Sequence, residues 1–326
     1  MFDLVKNLAC RFGVSGNEEE VRDFIKSEIE KNTDKIEVDA LGNLIAIKKG
    51  KGKRIMAAAH MDEIGIMATY IDKNGFIRFS NVGWVSPYYL LGQRVKFKNG
   101  TVGAVFYEEK TYDFKNLKLS GMYIDIGAGS REDAVKRVRP GDTAAIQGET
   151  VKGGDMVISK ALDDRCGCAV LIKTIQKLPE TDNEIYFVFT VQQELGLRGA
   201  KTAAYHLEPD FAITVGVTPT GDTPECRPMD VKCGSGPAIK LKDKSIICHR
   251  EVKSLLEESA KKLKIPYQFE ITDSGVSDAG AIHMAVGGIP AGAISVPCRY
   301  IHSPVEMASI TDMKNAVKLL TESIIK

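Results

Sequence analysis

The sequence predicts an α/β fold, a mixed β-sheet flanked by helices, with a small β-barrel-like domain inserted into it. Three observations lead there. Short apolar runs alternate with segments of helical period in residues 1–66 and again in residues 157–326. Between them, residues 67–156 are mostly short strand candidates punctuated by Lys73-Asn74-Gly75, Lys98-Asn99-Gly100 and Pro140-Gly141-Asp142; Asn-Gly between alternating apolar and polar residues is a hairpin signal. A length of 326 residues suits one large domain carrying such an insertion.

Taken in order, Asn17 to Lys31 reads as a helix, with Asn17 and Glu20 as its N-terminal cap and Val21, Phe24, Ile25 and Ile29 at helical spacing. IMAAA (Ile55 to Ala59) is too short for a helix and reads as a buried strand that stops at His60. In the insertion, IMATYI, FIRFS, RVKFK, TVGAVFY, MYIDI and TAAIQ are the strand candidates. Asp163 to Leu178 then reads as a helix, EIYFVFTV (Glu184 to Val191) and DFAITV (Asp210 to Val215) as strands, and Glu251 to Leu263 as a helix. YQFEIT (Tyr267 to Thr272) and AGAISV (Ala291 to Val296) are strands, and Asp312 to Ile325 is the closing helix.

Composition removes whole classes of function. Forty-four basic residues against 43 acidic ones give a net charge of +1, so no bulk charge exists to hold nucleic acid or an anionic membrane. No run approaches the ~18 apolar residues of a membrane-spanning helix, and the N-terminal segment lacks the pattern of a signal peptide. Seven scattered cysteines, odd in number and without a C-x-x-C pair, read as reduced, mostly buried thiols. A cytoplasmic location is the expectation.

Ligands of α/β sheets bind at the carboxyl ends of strands. IMAAA is followed by His60-Met61-Asp62-Glu63, EIYFVFTV by Gln192-Gln193-Glu194, DFAITV by Gly216, and AGAISV by Tyr300-Ile301-His302. Asp163-Asp164 stands in the first turn of the long helix. An acidic residue at a helix start is by itself commonly a cap, and a lone histidine commonly structural. Their gathering at one rim is what points to a metal, and mixed nitrogen and oxygen donors suit zinc, cobalt or manganese.

The blocks AAAHMDEIGIM, SKALDDRCGCAVLI, VQQELGLRGA, GDTPE, SDAGAIHMAVGGIP and ISVPCRYIHSPVE resemble the tetrahedral, or glutamyl, aminopeptidases, a family with two co-catalytic metals in which some relatives carry the label endoglucanase. The resemblance spans essentially the whole chain. It implies a zinc-peptidase-like catalytic domain (1–66 and 157–326), with 67–156 as the dimerisation domain. Short peptides are the implied substrates, and self-association runs from a dimer to a dodecameric shell. By position, His60 would bind the first metal, Asp62 would orient His60, Asp163 would bridge both metals, and Glu194 and His302 would complete the second.

Two positions depart from the family. Gln193 stands where the general base is a glutamate, and Gly216 stands where an aspartate binds the first metal. An amide cannot take up and return a proton at neutral pH. The expectation is therefore one firmly held divalent ion, zinc or cobalt, at the second position, with Asp164 and Asp222 as possible substitute ligands at the first. The rival readings are a family member that has lost catalysis but retains assembly or peptide binding, and a metal-independent glycoside hydrolase. With one tryptophan, Trp84, the chain lacks an aromatic sugar platform. Dinucleotide binding at Gly127-Ala128-Gly129 is opposed by Glu132 at the third glycine position, and no G-x-S-x-G elbow supports a serine nucleophile.

Overall fold

The computed structural model describes residues 1–109 and 115–326. The chain opens with helices α1 (Phe2–Ala9) and α2 (Glu19–Ile29), then strands β1 (Lys35–Val38), β2 (Leu44–Lys48) and β3 (Arg54–His60). A second unit follows, made of β4 (Gly65–Ile71), β5 (Ile77–Val82), α3 (Pro87–Leu90), β6 (Arg94–Phe97), β7 (Val102–Tyr107), β8 (Met122–Asp125), α4 (Arg131–Val135) and β9 (Thr143–Ile146). The chain returns through β10 (Val151–Gly153), β11 (Met156–Ser159), α5 (Leu162–Lys177), β12 (Glu184–Thr190), α6 (Arg198–Leu207) and β13 (Phe211–Thr218). It ends with β14 (Ala238–Lys242), α7 (Arg250–Leu263), β15 (Gln268–Ile271), α8 (Asp278–His283), β16 (Ala291–Arg299), β17 (Glu306–Ser309) and α9 (Ile310–Ile324).

The large sheet has the order β1-β2-β12-β3-β13-β16-β17-β11-β10, with β14 and β15 attached beyond β16. Its centre, β12-β3-β13-β16, is parallel throughout. Parallel strands are covered on both faces, which is why their sequences are unbroken apolar runs rather than alternations. Ala57 and Ala59 of β3 face the layer formed with α1, α2, α5, α7 and α9, while Met56 and Ala58 face the layer beneath α6 and α8. The four central strands run the same way, so their carboxyl ends share one rim.

Strands β4-β5-β8-β7-β6-β9 close into a barrel with its own core, including Ile66, Phe79, Val95, Phe97, Val105 and Ile124. Both Lys-Asn-Gly segments are turns whose glycines take the left-handed backbone, Gly75 at φ 92° and Gly100 at φ 93°. The sequence limits 67–156 take in β10, which pairs with β11 in the large sheet; the barrel strands themselves end at Ile146.

One local expectation fails. Helix α2 starts at Glu19 with Glu18 before it, not with Asn17 as cap. Glu18 turns inward to accept N–H bonds from Gly16 and Gln192, and Glu20 accepts one from Phe12 instead of capping the helix. All seven cysteines are free, but only Cys166, Cys168 and Cys298 are buried; Cys10 is exposed and the others are half-buried. No helix among the described residues is long and apolar enough to cross a membrane.

Candidate metal centre

Strand ends bring the chemistry together. β3 finishes on His60, β12 runs into Gln193 and Glu194, Gly216 lies within the end of β13, and the turn after β16 carries His302. Asp163 sits at the start of α5, where it and Asp164 leave helical geometry and are joined by a cis peptide. Ala161, Gln192, Tyr300 and His302 all have positive φ, between 54° and 65°. Non-glycine residues in the left-handed region each cost roughly 1–3 kcal/mol. Three of them flank predicted site residues and the fourth is His302 itself, so the backbone is bent here to aim side chains.

The aim is convergent. Nε2 of His60 lies 3.2 Å from one Asp163 oxygen, and Nε2 of His302 lies 3.3 Å from the other. His302 Nε2 is also 3.0 Å from Glu194 Oε1. His60, Asp163 and Glu194 offer ligand atoms within 4.8 Å of one another. Two imidazoles and two carboxylates facing inward form a donor set that suits a borderline divalent ion.

Electrostatics support that fit. Burial works against the charged form of both imidazoles, yet the carboxylates outweigh it: His60 rises well above its ordinary range, and His302 rises to about 11 under Asp163 and Glu194. Burial opposes ionisation of Asp163 as well, but the two imidazoles hold it below the usual carboxylate range. The cluster therefore retains positive charge strongly, and a cation entering it would expel protons.

Buried carboxylates fasten the centre. Asp62 accepts from the Ser15 hydroxyl at 2.6 Å and from the N–H groups of Gln193 at 2.9 Å and Glu194 at 3.1 Å. Its Oδ1 is 3.4 Å from Nδ1 of His60, whose nearer contact, at 3.1 Å, is the Asp62 carbonyl oxygen. One side chain thus ties the end of β3 to the end of β12. Glu306 does the same for the other half, accepting from the N–H groups of His302 at 2.7 Å and Asp163 at 2.9 Å. Its carboxyl is pushed up to about 8 by burial and by the Asp163 charge. Sequence reasoning did not single out Glu306, although a carboxylate four residues after His302 was the available signal.

Gln193 and Gly216 border, with His60 and Asp163, a cavity of about 70 Å³. The Gln193 amide donates to Val276 O at 3.4 Å. A Cβ at Gly216 would meet nothing within 4 Å, so a side chain there has room. Neither substitute weighed for the missing ligand is available. Asp164 is fully buried and accepts from the N–H groups of His60 and Gly167. Asp222 is held by Arg299 at 2.9 and 2.6 Å and accepts from Cys233 N–H.

The sequence model of the M42 glutamyl aminopeptidases matches residues 42–319. A protein of Acetivibrio thermocellus provisionally named an aminopeptidase is 67% identical over 99% of this chain and 98% of its own. Among solved structures, an aminopeptidase of the archaeon Desulfurococcus kamchatkensis superposes with a TM-score of 0.96 at 37% identity, covering 99% of this chain and 94% of that one. The TET1 peptidase of Pyrococcus horikoshii, described as assembling into a tetrahedron or a large octahedral shell, superposes at 0.90 with 34% identity over 99% of both chains.

Proposed function

The chain belongs to the M42 glutamyl aminopeptidase family, and from that premise we propose that it removes N-terminal residues from short peptides at the cluster of His60, Asp163, Glu194 and His302. The observation that carries the reading is the convergence of two imidazoles and two carboxylates, linked in a chain His60–Asp163–His302–Glu194 by contacts of 3.0–3.3 Å. Divalent ions held there, zinc or cobalt, would polarise a peptide carbonyl and acidify a water molecule. In this reading His60 would serve the first position, Asp163 would be shared, and Glu194 and His302 would complete the second, which would hold its ion more firmly.

The remaining roles belong to the protein's own groups. Asp62 fixes the His60 ring and the Gln193-Glu194 backbone, so that ligands on two strands keep one geometry. Gln193 can orient a water by hydrogen bonding but cannot shuttle its proton, so turnover is slow relative to a glutamate at that position. The same two departures favour the competing reading, a scaffold that binds peptide without cleaving it.

Exposed aromatic residues at the barrel, Trp84 (83% exposed), Tyr88 and Tyr89, suit a self-association surface. On this basis the inserted barrel is the dimerisation domain, and the tetrahedral and octahedral shells of the P. horikoshii relative make further assembly into a shell, such as a dodecamer, the natural extension. Seven free cysteines fit a cytoplasmic setting.

The test is turnover on a panel of aminoacyl chromogenic substrates with cobalt or zinc, before and after a chelator. Slow, chelator-sensitive release of the N-terminal residue is expected. Glucanase activity that ignores the chelator would replace the peptidase reading.

A further inference from the structure

Residues of one parity on the central strands face α8. Val188 of β12, Met56 and Ala58 of β3, and Ala212 of β13 share one buried apolar cluster with Ala279 and Ile282 of that helix. By the same alternation Thr190, His60, Thr214 and Gly216 face it at the carboxyl ends. The first residue of α8 is Asp278. Asp278 is 4% exposed and borders the cavity shared by His60, Asp163, Gln193 and Gly216. Its Oδ2 accepts the Thr190 hydroxyl at 2.6 Å, while its Oδ1 is buried with no hydrogen-bond partner.

A buried carboxylate oxygen without a donor calls for a cation or water. Asp278 borders the same cavity as Gly216, and a Cβ at Gly216 would meet nothing within 4 Å, so the space of the missing aspartate is open there. We propose that Asp278 supplies the carboxylate that Gly216 lacks, so that His60, Asp163 and Asp278 together form the first metal position. The assignment rests on the metallopeptidase reading above. It gives the two positions unequal strength. The second keeps Asp163, Glu194 and His302, whereas the first depends on a carboxylate already shared with Thr190. Three carboxylates, Asp163, Glu194 and Asp278, then face two divalent ions.

Isothermal titration of the metal-stripped full chain with cobalt tests this without reference to turnover. The wild type should show two binding events, one tight and one at least ~10-fold weaker. Asp278→Asn should abolish the weaker event and leave the tight one unchanged, and His60→Asn should remove the same event. Should Asp278→Asn fail to fold, Asp278→Glu decides in its place. It keeps the charge but moves it by one methylene, and the weaker constant should change by ~10–100-fold. A single event in the wild type, or a weaker event unchanged in the folded Asp278 variant, overturns the assignment and leaves the metallopeptidase reading standing. Absence of any tight event in the wild type overturns that reading, and the assignment with it.

Discussion

Returning both family carboxylates, by Gln193→Glu with Gly216→Asp, should turn a slow enzyme into a fast one. The structure sets the terms. Glutamate is isosteric with glutamine, and the Gln193 backbone is already held by Asp62. A Cβ at Gly216 meets nothing within 4 Å, and this glycine is not among those with positive φ, so aspartate enters β13 without strain. A positioned general base contributes ~10²–10⁴ in rate, or about 3–5 kcal/mol at 1.36 kcal/mol per decade. The double variant should therefore gain at least ~10²-fold in kcat under saturating cobalt. It should also become more dependent on metal. Two carboxylates added beside Asp163 and Glu194 repel in the metal-free protein, lowering its Tm. Ion binding then restores stability, by about 4 kcal/mol at a thousand times Kd. The assay is release of chromophore from aminoacyl nitroanilides, paired with melts before and after a chelator. A folded double variant that carries two ions per chain, yet turns over within about threefold of wild type, refutes the argument that base and ligand are what the chain lacks.

Three other outcomes are expected. Asp62→Asn puts an amide nitrogen opposite the Ser15 hydroxyl or the N–H groups of Gln193 and Glu194; a loss of ~2–4 kcal/mol in urea unfolding and a 10–100-fold fall in metal affinity should follow, and unchanged affinity counts against Asp62 as the residue that orients His60. Burial pushes the Glu18 carboxyl from 4.5 up to about 7 against the N–H bonds of Gly16 and Gln192. The folded state then holds more protons than the unfolded one between those values, so stability falls as pH rises through that window, by on the order of 3 kcal/mol. Glu18→Gln should flatten this decline, and parallel urea midpoints for both proteins at pH 5 and pH 8 exclude the effect. Trp84→Glu should weaken self-association by at least ~30-fold, the scale of a 2 kcal/mol interface anchor, as read by analytical ultracentrifugation; an unchanged distribution removes the exposed aromatic cluster as the contact.

What the sequence by itself determined was whatever depends on neighbours along the chain. IMAAA, EIYFVFTV and AGAISV read as buried strands because a parallel strand covered on both faces has to be apolar at every position. Most barrel strands were legible for the opposite reason, since strands such as β6 and β7 have one wet face and Asn-Gly turns separate two pairs of them, whereas β9 is buried at every position. His60, Asp163, Glu194 and His302 stood out because each follows a strand or begins a helix.

Tertiary structure alone decided how the side chains share the rim. No spacing relates Asp62 to the N–H groups of residues 193 and 194, because that bond spans more than 130 residues and exists only once β3 and β12 pair. Glu306 and Asp278 each look like an ordinary acidic residue beside a loop or helix start; packing made them buried, and burial gave them consequence. Asp164 and Asp222 were both possible spare ligands, and folding committed one to the backbone of His60 and the other to Arg299. The strand ends were a property of pattern, whereas a cavity bordered by both Asp278 and Gly216 arises only where these strand ends and α8 meet.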